Sequence, residues 1–220
     1  MPPEVRRSPL ALAVLALLVY RPLHPYGLQA LMKQWGKDQV INVSQRASLY
    51  KTIRRLLAAG LIAVRHTERE QQYPERTVYE LTDQGRAATT AWLEEMLAVP
   101  RAEYPEFPAA LSFLMLVAPA RALELLEQRK SLLAARVAEL DATLAAYADS
   151  LPRVSLVETD YVRAVTAAEL HWVTEIAADL QAGRLTWSKE TLRAYHATHP
   201  PSGLELPDQP GPCGPDAPKQ

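Results

Sequence analysis

The chain has 220 residues, 48% of them apolar, which is enough to bury a substantial core as one medium domain or two small ones. Its single cysteine, Cys213, excludes an internal disulfide and a cysteine-based metal site, and it indicates a reducing cytoplasm. The net charge is −1, but residues 21–77 carry +6 and residues 100–220 carry −5. This uneven distribution is typical of a half that faces nucleic acid joined to a half with another task.

The first predicted helix begins at Ser8 and Pro9, with Ser as the N-cap and Pro in the first turn, and runs to about Tyr20. Behind Arg6 and Arg7, its run LALAVLALLVY resembles the charged and apolar regions of a signal peptide. However, 11 residues are too few to span a bilayer, and no small-residue cleavage pattern follows. We therefore interpret the run as a structural helix that is buried or lies at a dimer interface.

A second helix is predicted from His24, Pro25 and Tyr26 onward, after a break at residues 21–23. Its apolar positions follow helical spacing and comprise Leu28, Leu31, Met32 and Trp35. Residues 36–43 predict a turn with short extended character.

The third predicted helix spans residues 44–59, with Ser44 as its cap and Gly60 ending it as a left-handed residue. One stripe is apolar and comprises Leu49, Ile53, Leu56 and Leu57. The runs IAVRH and TVYEL then predict two strands, a hairpin over residues 62–81 with a basic loop. A fourth helix follows from Thr82, its cap, to about Ala98.

This order of helix, turn, helix and hairpin, with basic side chains in the last two elements, indicates a winged helix-turn-helix that binds duplex DNA. The N-terminal end of the second helix of such a motif enters the major groove, while cations around it hold phosphates. The candidate DNA-binding residues of the helix are Ser44, Gln45, Arg46, Ser48, Tyr50, Lys51, Arg54 and Arg55. Those of the hairpin are Arg65, Arg69 and Arg76. Two plainer interpretations stay open: a solvated basic helix, and a core position for Tyr50.

Residues 99–108 contain three prolines and predict a linker between a domain at 8–98 and a helical domain at 109–187. From Pro119 to Asp149 apolar residues recur at heptad spacing, and such a stripe needs a neighbouring helix or a second subunit to cover it. The candidate dimerisation residues are Leu126, Leu133, Val137, Leu140, Leu144 and Tyr147. Residues 200–220, with seven prolines and three glycines, are expected to be disordered.

A last long helix, from about Glu158 to Gln181, carries Trp172, a candidate contact for a flat or cationic effector or simply a packing residue of the dimer. No metal-ligand cluster or phosphate-binding loop is evident, so no cofactor is expected. No nucleophile, base and oxyanion donor are assembled, so an enzyme is not expected.

Three segments in order, ALAVLALLVYRPLHPYGLQALM, SLYKTIRRLLAAGLI and RTVYELTDQGRA, resemble the PadR-like transcriptional regulators. The resemblance runs from about Leu10 to Thr90, and more loosely to about Trp187, as in a subfamily with a long C-terminal region. It implies a homodimer, operator contact by Tyr50 and Arg54, and repression commonly relieved by a small aromatic or cationic ligand. Pro25, Gly27 and Val78 depart from the family pattern, which puts helix entry and wing packing in doubt.

The expected protein is mainly α: an N-terminal winged helix-turn-helix domain with a two-stranded wing, and a C-terminal long-helix dimerisation domain. Its expected partners are double-stranded DNA, a second copy of itself and a small effector, with no membrane. It would repress transcription from a palindromic operator whose half-sites lie roughly 34 Å apart. Two alternatives remain: a protein-interaction adaptor, and a small-molecule-binding protein whose winged domain is vestigial.

Overall fold

The computed structural model describes residues 7–43, 45–68 and 76–198. The chain forms two compact units, residues 1–103 and 104–220, which divide inside the segment predicted as a linker. The tail predicted to be disordered, 200–220, lies outside the described residues. No helix in the described part of the chain is long and apolar enough to cross a membrane.

The first unit combines helices with a two-stranded antiparallel sheet. Its elements are α1 (Pro9–Tyr20), α2 (Pro25–Gln34), a 3-10 helix (Lys37–Gln39), α3 (Arg46–Ala58), β1 (Ile62–Glu68), β2 (Arg76–Leu81) and α4 (Asp83–Ala98). In the second unit every described element is a helix. Its elements are α5 (Glu106–Leu111), a 3-10 helix (Leu114–Leu116), α6 (Pro119–Tyr147), a 3-10 helix (Arg153–Ser155), α7 (Val157–Gln181) and α8 (Lys189–Thr198).

Helix α1 is the centre of the first core. The Ser8 hydroxyl accepts a hydrogen bond from the Ala11 amide at 3.2 Å, so Ser8 caps the helix as predicted. The buried side chains lie on several sides of the helix, because α1 packs against α2, α3, α4 and β2. They are Ala11, Ala13, Val14, Leu15, Leu17 and Leu18.

Helix α2 and the turn after it differ from the prediction in two details. Leu28 and Met32 are buried, but Trp35 lies beyond the end of the helix and is partly exposed, with its ring edge-on to Tyr20 at 5.6 Å. The turn contains a 3-10 helix where short extended structure was expected, since Gly36 reverses the chain with φ of +66°.

Helix α3 begins at Arg46, so the predicted start at residue 44 is wrong. Gln45 is the N-cap, and its extended backbone, with φ of −94° and ψ of 104°, delays the helical geometry. Ser44, the predicted cap, lies outside the described residues. The predicted C-terminus is confirmed: Gly60 has φ of +70°, and its amide donates to the Leu57 carbonyl at 3.0 Å.

The buried stripe of α3 consists of Leu49, Thr52, Ile53 and Leu56. Leu57, which was expected in this stripe, is exposed. The reason is geometric, because positions i, i+3, i+4 and i+7 from Leu49 share one face, and position i+8 falls at its edge.

The hairpin and the start of α4 are tied to the end of α3. β1 and β2 pair antiparallel from Ile62 opposite Leu81, and Arg65 is the extra residue of a β-bulge. The Thr82 hydroxyl accepts from the Gly85 amide at 3.0 Å, which confirms the predicted cap, and donates to the Gly60 carbonyl at 2.7 Å. One side chain thus links the ends of two helices.

In the second unit, α6 and α7 form an antiparallel pair. Their shared core consists of Ala122, Leu126, Val173, Ala177 and Leu180. The Trp187 indole nitrogen donates to the Val117 carbonyl at 2.8 Å, which secures the segments that flank the pair.

Gly85 provides a test of the close contact that α4 makes with Leu61, just before β1, and with Leu81 at the end of β2. An alanine Cβ there would overlap the carbonyl oxygen of Leu61 and lie 2.8 Å from a Leu81 methyl group. We expect Gly85→Ala to lower the free energy of unfolding by at least about 2 kcal/mol in urea denaturation. Gly36→Ala, which has open space but a positive φ, should cost only about 1 kcal/mol. An equal loss in both variants would contradict the overlap.

Candidate nucleic-acid interface

The buried stripe of α3 sets which of its side chains face solvent. With Leu49, Ile53 and Leu56 in the core, the opposite side of the helix is turned outward. The predicted outward residues are all exposed: Arg46, Tyr50, Lys51, Arg54 and Arg55. Tyr50 is 48% exposed, so the alternative of a core tyrosine is wrong.

These side chains form two adjacent rows along the helix. Arg46, Tyr50 and Arg54 follow at i, i+4 and i+8, while Lys51 and Arg55 follow at i and i+4 beside them. In the described part of the chain, no carboxylate lies within ion-pair distance of Arg46, Lys51 or Arg54. The face is therefore a positively charged surface with one aromatic side chain in it.

The N-terminal end of α3 offers polar groups. The Ser48 hydroxyl donates to the Gln45 side-chain oxygen at 3.3 Å, so this bond does not use the Gln45 amide hydrogens as donors. Gln45 is exposed and Ser48 is half-buried. This is the chemistry that base edges and phosphates require.

The turn before α3 borders a hollow that was not predicted from the sequence. Residues 38–43, together with Lys33 of α2, line a shallow hollow of about 510 Å³. The Gln29 side-chain amide donates to the Val43 carbonyl at 3.2 Å and holds this turn against α2. Lys33 lies in the basic segment 21–77. This position is the sequence signal that could have identified Lys33 as a candidate DNA-binding residue.

Of the three predicted wing arginines, the structure describes the side chain of Arg65 alone. Its guanidinium lies 3.7 Å from the Glu80 carboxylate, and both side chains are about half exposed. Arg69 lies outside the described residues, and Arg76 is described only as backbone of β2. Arg65 is the extra residue of the bulge, and Glu80 competes with any other anion for its charge.

The predicted dimerisation residues divide into two groups. Leu126 and Leu140 are buried within the chain, where Leu126 packs on α7, and their assignment to a dimer contact stays a prediction. Leu133, Val137 and Leu144 are half-buried, and Tyr147 is exposed. The heptad stripe is thus covered in large part by the neighbouring helix, because a stripe of this kind packs against any helix that lies alongside it.

A different set of side chains is apolar and exposed. Leu125 and Leu132 lie at i−4 and i+3 from Arg129 on α6, and Val165 and Trp172 lie at i−4 and i+3 from Glu169 on α7. Since Arg129 and Glu169 form an ion pair, these residues share one side of the helix pair. We name this side the apolar face, and it comprises Leu125, Leu132, Tyr161, Val165 and Trp172.

Comparison with known proteins shows what the first unit is. Residues 14–91 match the model of the Transcriptional regulator PadR-like family. They form a PadR-like domain. Comparison with curated protein sequences finds no match.

Solved structures show that the fold extends over both units. Bacillus subtilis PadR in complex with operator DNA is similar with a TM-score of 0.64 and 19% identity, over 80% of this chain and 99% of that chain. The same protein in complex with p-coumaric acid gives 0.59 and 17%, over 80% and 99%. The Vibrio cholerae virulence activator AphA gives 0.59 and 20%, over 79% and 98%. The chain therefore has a PadR-like domain with the expected wing and a long helical C-terminal region.

The pair formed by Arg65 and Glu80 predicts that Glu80 weakens binding to DNA. Because an exposed ion pair is worth up to about 1 kcal/mol, Glu80→Gln should raise duplex affinity up to about fivefold by releasing Arg65 to a phosphate. Fluorescence anisotropy at fixed salt measures this change. In an Arg65→Gln background the substitution should have no effect, and a gain that persists there would refute the pairing.

Proposed function

We propose that this chain is a sequence-specific DNA-binding transcriptional regulator that represses its target as a homodimer. The observation that carries the proposal is the outward face of α3, which presents Arg46, Tyr50, Lys51 and Arg54 to solvent with no neutralising carboxylate among the described residues. This face belongs to a PadR-like domain, and B. subtilis PadR is described in complex with operator DNA.

In this proposal α3 enters the major groove with its N-terminal end first. Gln45, Arg46, Ser48 and Tyr50 contact base edges there, since amide and guanidinium donors match the acceptors of adenine and guanine. One turn further along, Arg54 and Arg55 contact phosphates. Arg65 of the hairpin reaches the flanking backbone, where it exchanges Glu80 for a phosphate.

The apolar face supports the proposed homodimer. Leu132 and Tyr161 on this face are 65% and 70% exposed, and several large apolar side chains exposed on one side of a helix pair usually mark an interaction site. A second copy of the chain has the same apolar face, so a contact with two-fold symmetry would cover the apolar faces of both copies. Two PadR-like domains related by a two-fold axis call for a palindromic operator, with half-sites roughly 34 Å apart.

Ligand-responsive repression is proposed on the basis of the relatives. B. subtilis PadR is described both with operator DNA and with p-coumaric acid. The second unit of this chain contains a partly exposed aromatic side chain, Trp172, at which a flat or cationic effector can act.

Substitution of the α3 face tests the DNA contact. We expect Tyr50→Ala or Arg54→Ala to weaken binding to a duplex selected from a random pool by about fivefold to a hundredfold, as for loss of one specific contact. Arg54→Ala should also reduce the salt dependence by about one phosphate contact per subunit. Electrophoretic mobility shift at several salt concentrations measures both effects.

Arg121→Gln is the matched control, since Arg121 is exposed and pairs with Glu124 in the second unit. It should leave DNA binding unchanged. Wild-type protein that dimerises but binds no duplex would support the protein-interaction adaptor instead. Tight ligand binding without any operator would support the small-molecule-binding alternative.

A charged substitution on the apolar face tests the proposed dimer contact. Leu132→Glu should shift the protein from dimer to monomer in analytical ultracentrifugation, because a carboxylate would have to be desolvated at the contact. Ala134→Glu serves as the control, since Ala134 is exposed and two residues further along α6, on the opposite side of the helix. A dimer that tolerates Leu132→Glu as well as Ala134→Glu would place the contact elsewhere.

A further inference from the structure

The N-terminus of α2 is closed by a histidine side chain. His24 is the N-cap, and its Nδ1 atom accepts a hydrogen bond from the Gly27 amide at 2.9 Å. The His24 carbonyl accepts from the Leu28 amide at 3.1 Å and so begins the backbone hydrogen bonding of the helix. The cap therefore depends on a ring nitrogen whose lone pair a proton can occupy.

The first turn of α2 has few other ways to satisfy its amides. Pro25 occupies the first helical position and has no amide hydrogen, so Tyr26 and Gly27 supply the amides ahead of the Leu28 bond. Gly27 is partly buried, and its amide bonds to His24. Loss of the imidazole acceptor therefore removes the partner that this amide has in the folded helix.

The imidazole ring is held in place by its neighbours as well as by the hydrogen bond. The Tyr26 ring stacks on it, with centroids 6.1 Å apart and 20° between the planes. A Cβ built on Gly27 would lie 3.4 Å from the His24 Cε1 atom, so the ring lies close against the helix backbone. Since a protonated imidazole has two N–H donors and no acceptor, no rotation of the ring restores the bond.

The helix that His24 caps opposes a positive charge on the ring. The first turn of α2 contains no acidic residue, and Tyr26 contributes an aromatic ring. α1 packs against α2 and ends at Tyr20, with the positively charged Arg21 as its C-cap. An imidazolium would also face the positive end of the α2 dipole.

The other elements near α2 have their charged groups engaged or directed elsewhere. β2 pairs with the segment before α2 through Tyr79, and the adjacent Glu80 carboxylate is engaged with Arg65. α3 turns its charged side chains to solvent, and those of the 3-10 helix lie beyond the C-terminal end of α2. Among the ion pairs formed by the described residues, none includes His24.

The caps of α1 and α4 use a different chemistry. Ser8 and Thr82 accept the first-turn amides through hydroxyl oxygens at 3.2 and 3.0 Å. A hydroxyl keeps its acceptor at neutral and mildly acidic pH, whereas histidine ordinarily changes its charge between about pH 5 and 8. Asp83 also places an acidic side chain in the first turn of α4. Of these three capped helices, α2 is thus the one whose start can respond to pH.

The start of α2 is coupled to the turn that precedes α3. Leu28, four residues after the cap, is fully buried in the core of the first unit. The next side chain, Gln29, donates to the Val43 carbonyl at 3.2 Å and holds the turn before α3 against α2. Loosening of the first turn of α2 therefore reaches the residues that position the N-terminal end of α3.

We propose that His24 is a proton-operated cap of the helix-turn-helix. The neutral imidazole closes the start of α2, while the protonated imidazole releases the Gly27 amide and loosens the first turn. Because the folded helix binds the neutral ring, the stability that the cap contributes is present above the titration range of histidine and is lost below it. The consequence for DNA binding rests on the proposed function, whereas the proton switch itself does not.

NMR spectroscopy of the full-length protein tests the cap directly. Between about pH 8 and pH 5 the Gly27 amide resonance should shift along the same titration curve as the His24 ring, because protonation removes the acceptor of that amide. In His24→Asn the resonance should stay in place, since the asparagine oxygen can cap the helix throughout this range. A Gly27 resonance that does not shift while His24 titrates would overturn the proposal.

Thermal unfolding measures the effect on stability. Between about pH 7.5 and pH 5.5 the unfolding midpoint of wild type should fall about 2–4 °C more than that of His24→Asn, as expected for loss of one N-cap in a chain of this length. His24→Ala should unfold at a lower temperature already at the higher pH, and its pH dependence should equal that of His24→Asn.

His171→Asn is the matched control, since the His171 side chain is 76% exposed and lies in the second unit. This variant should keep the pH dependence of wild type. An equal pH dependence of wild type and His24→Asn would refute the switch and leave His24 as a cap that does not respond to pH.

Duplex affinity at fixed salt measures the consequence for DNA binding. On the same change of pH, wild type should lose about threefold more affinity than His24→Asn, because a smaller fraction of the molecules has α2 closed. An equal loss in both proteins would refute the consequence for DNA binding. Protein whose Gly27 amide follows the titration of His24 but which binds no duplex would refute the proposed function and leave the switch intact.

Discussion

The burial of α1 is the constraint on which the first unit depends. This helix has apolar side chains on nearly all sides, so it is stable only when other elements cover it on several sides. α2, α3, α4 and β2 provide that cover. Each of these elements has a single apolar side to offer, and once that side is turned toward α1 its polar side must face solvent. The packing of the core thus determines the orientation of the basic face of α3. Contacts among the basic side chains of that face are not needed to orient it.

Hydrogen bonds at the ends of the helices and strands fix the positions of these elements relative to one another. Gly60 ends α3 in the left-handed conformation, and the Leu61 amide donates back to the Leu56 carbonyl at 3.0 Å. Thr82 then joins the Gly60 carbonyl to the first turn of α4. The hairpin therefore leaves α3 and returns to α4 at a defined point, which places Arg65 on the same structural support as α3. A rigid support of this kind is what allows a few exposed side chains to select a base sequence.

The second unit uses its apolar residues differently. The heptad stripe of α6 is largely buried within the chain, while the apolar face remains exposed. The ion pair between Arg129 and Glu169 lies on the same side of the helix pair as that face. The second unit thus keeps an exposed apolar surface beside a core that the chain completes by itself.

Local signals in the sequence were sufficient to predict α1, the hairpin, the caps at Ser8 and Thr82 and the end of α3 at Gly60. They depend on residues a few positions apart, and backbone geometry links such residues directly. The exposed basic residues of α3 were predictable for the same reason, since helical periodicity separates its two faces.

Only the tertiary structure decided the contacts between distant residues. The burial of Thr52 in place of Leu57 depends on how α3 sits against the core, and the sequence pattern carries no information about that angle. Which helix covers Leu126, and that Phe107 meets Arg129 and Trp172, depend on the pairing of α6 with α7. The sequence by itself thus determined the elements and their polar and apolar sides, because these follow from local geometry. The tertiary structure decided which sides are covered within one chain and which remain for partners, because that depends on packing between residues far apart in the sequence.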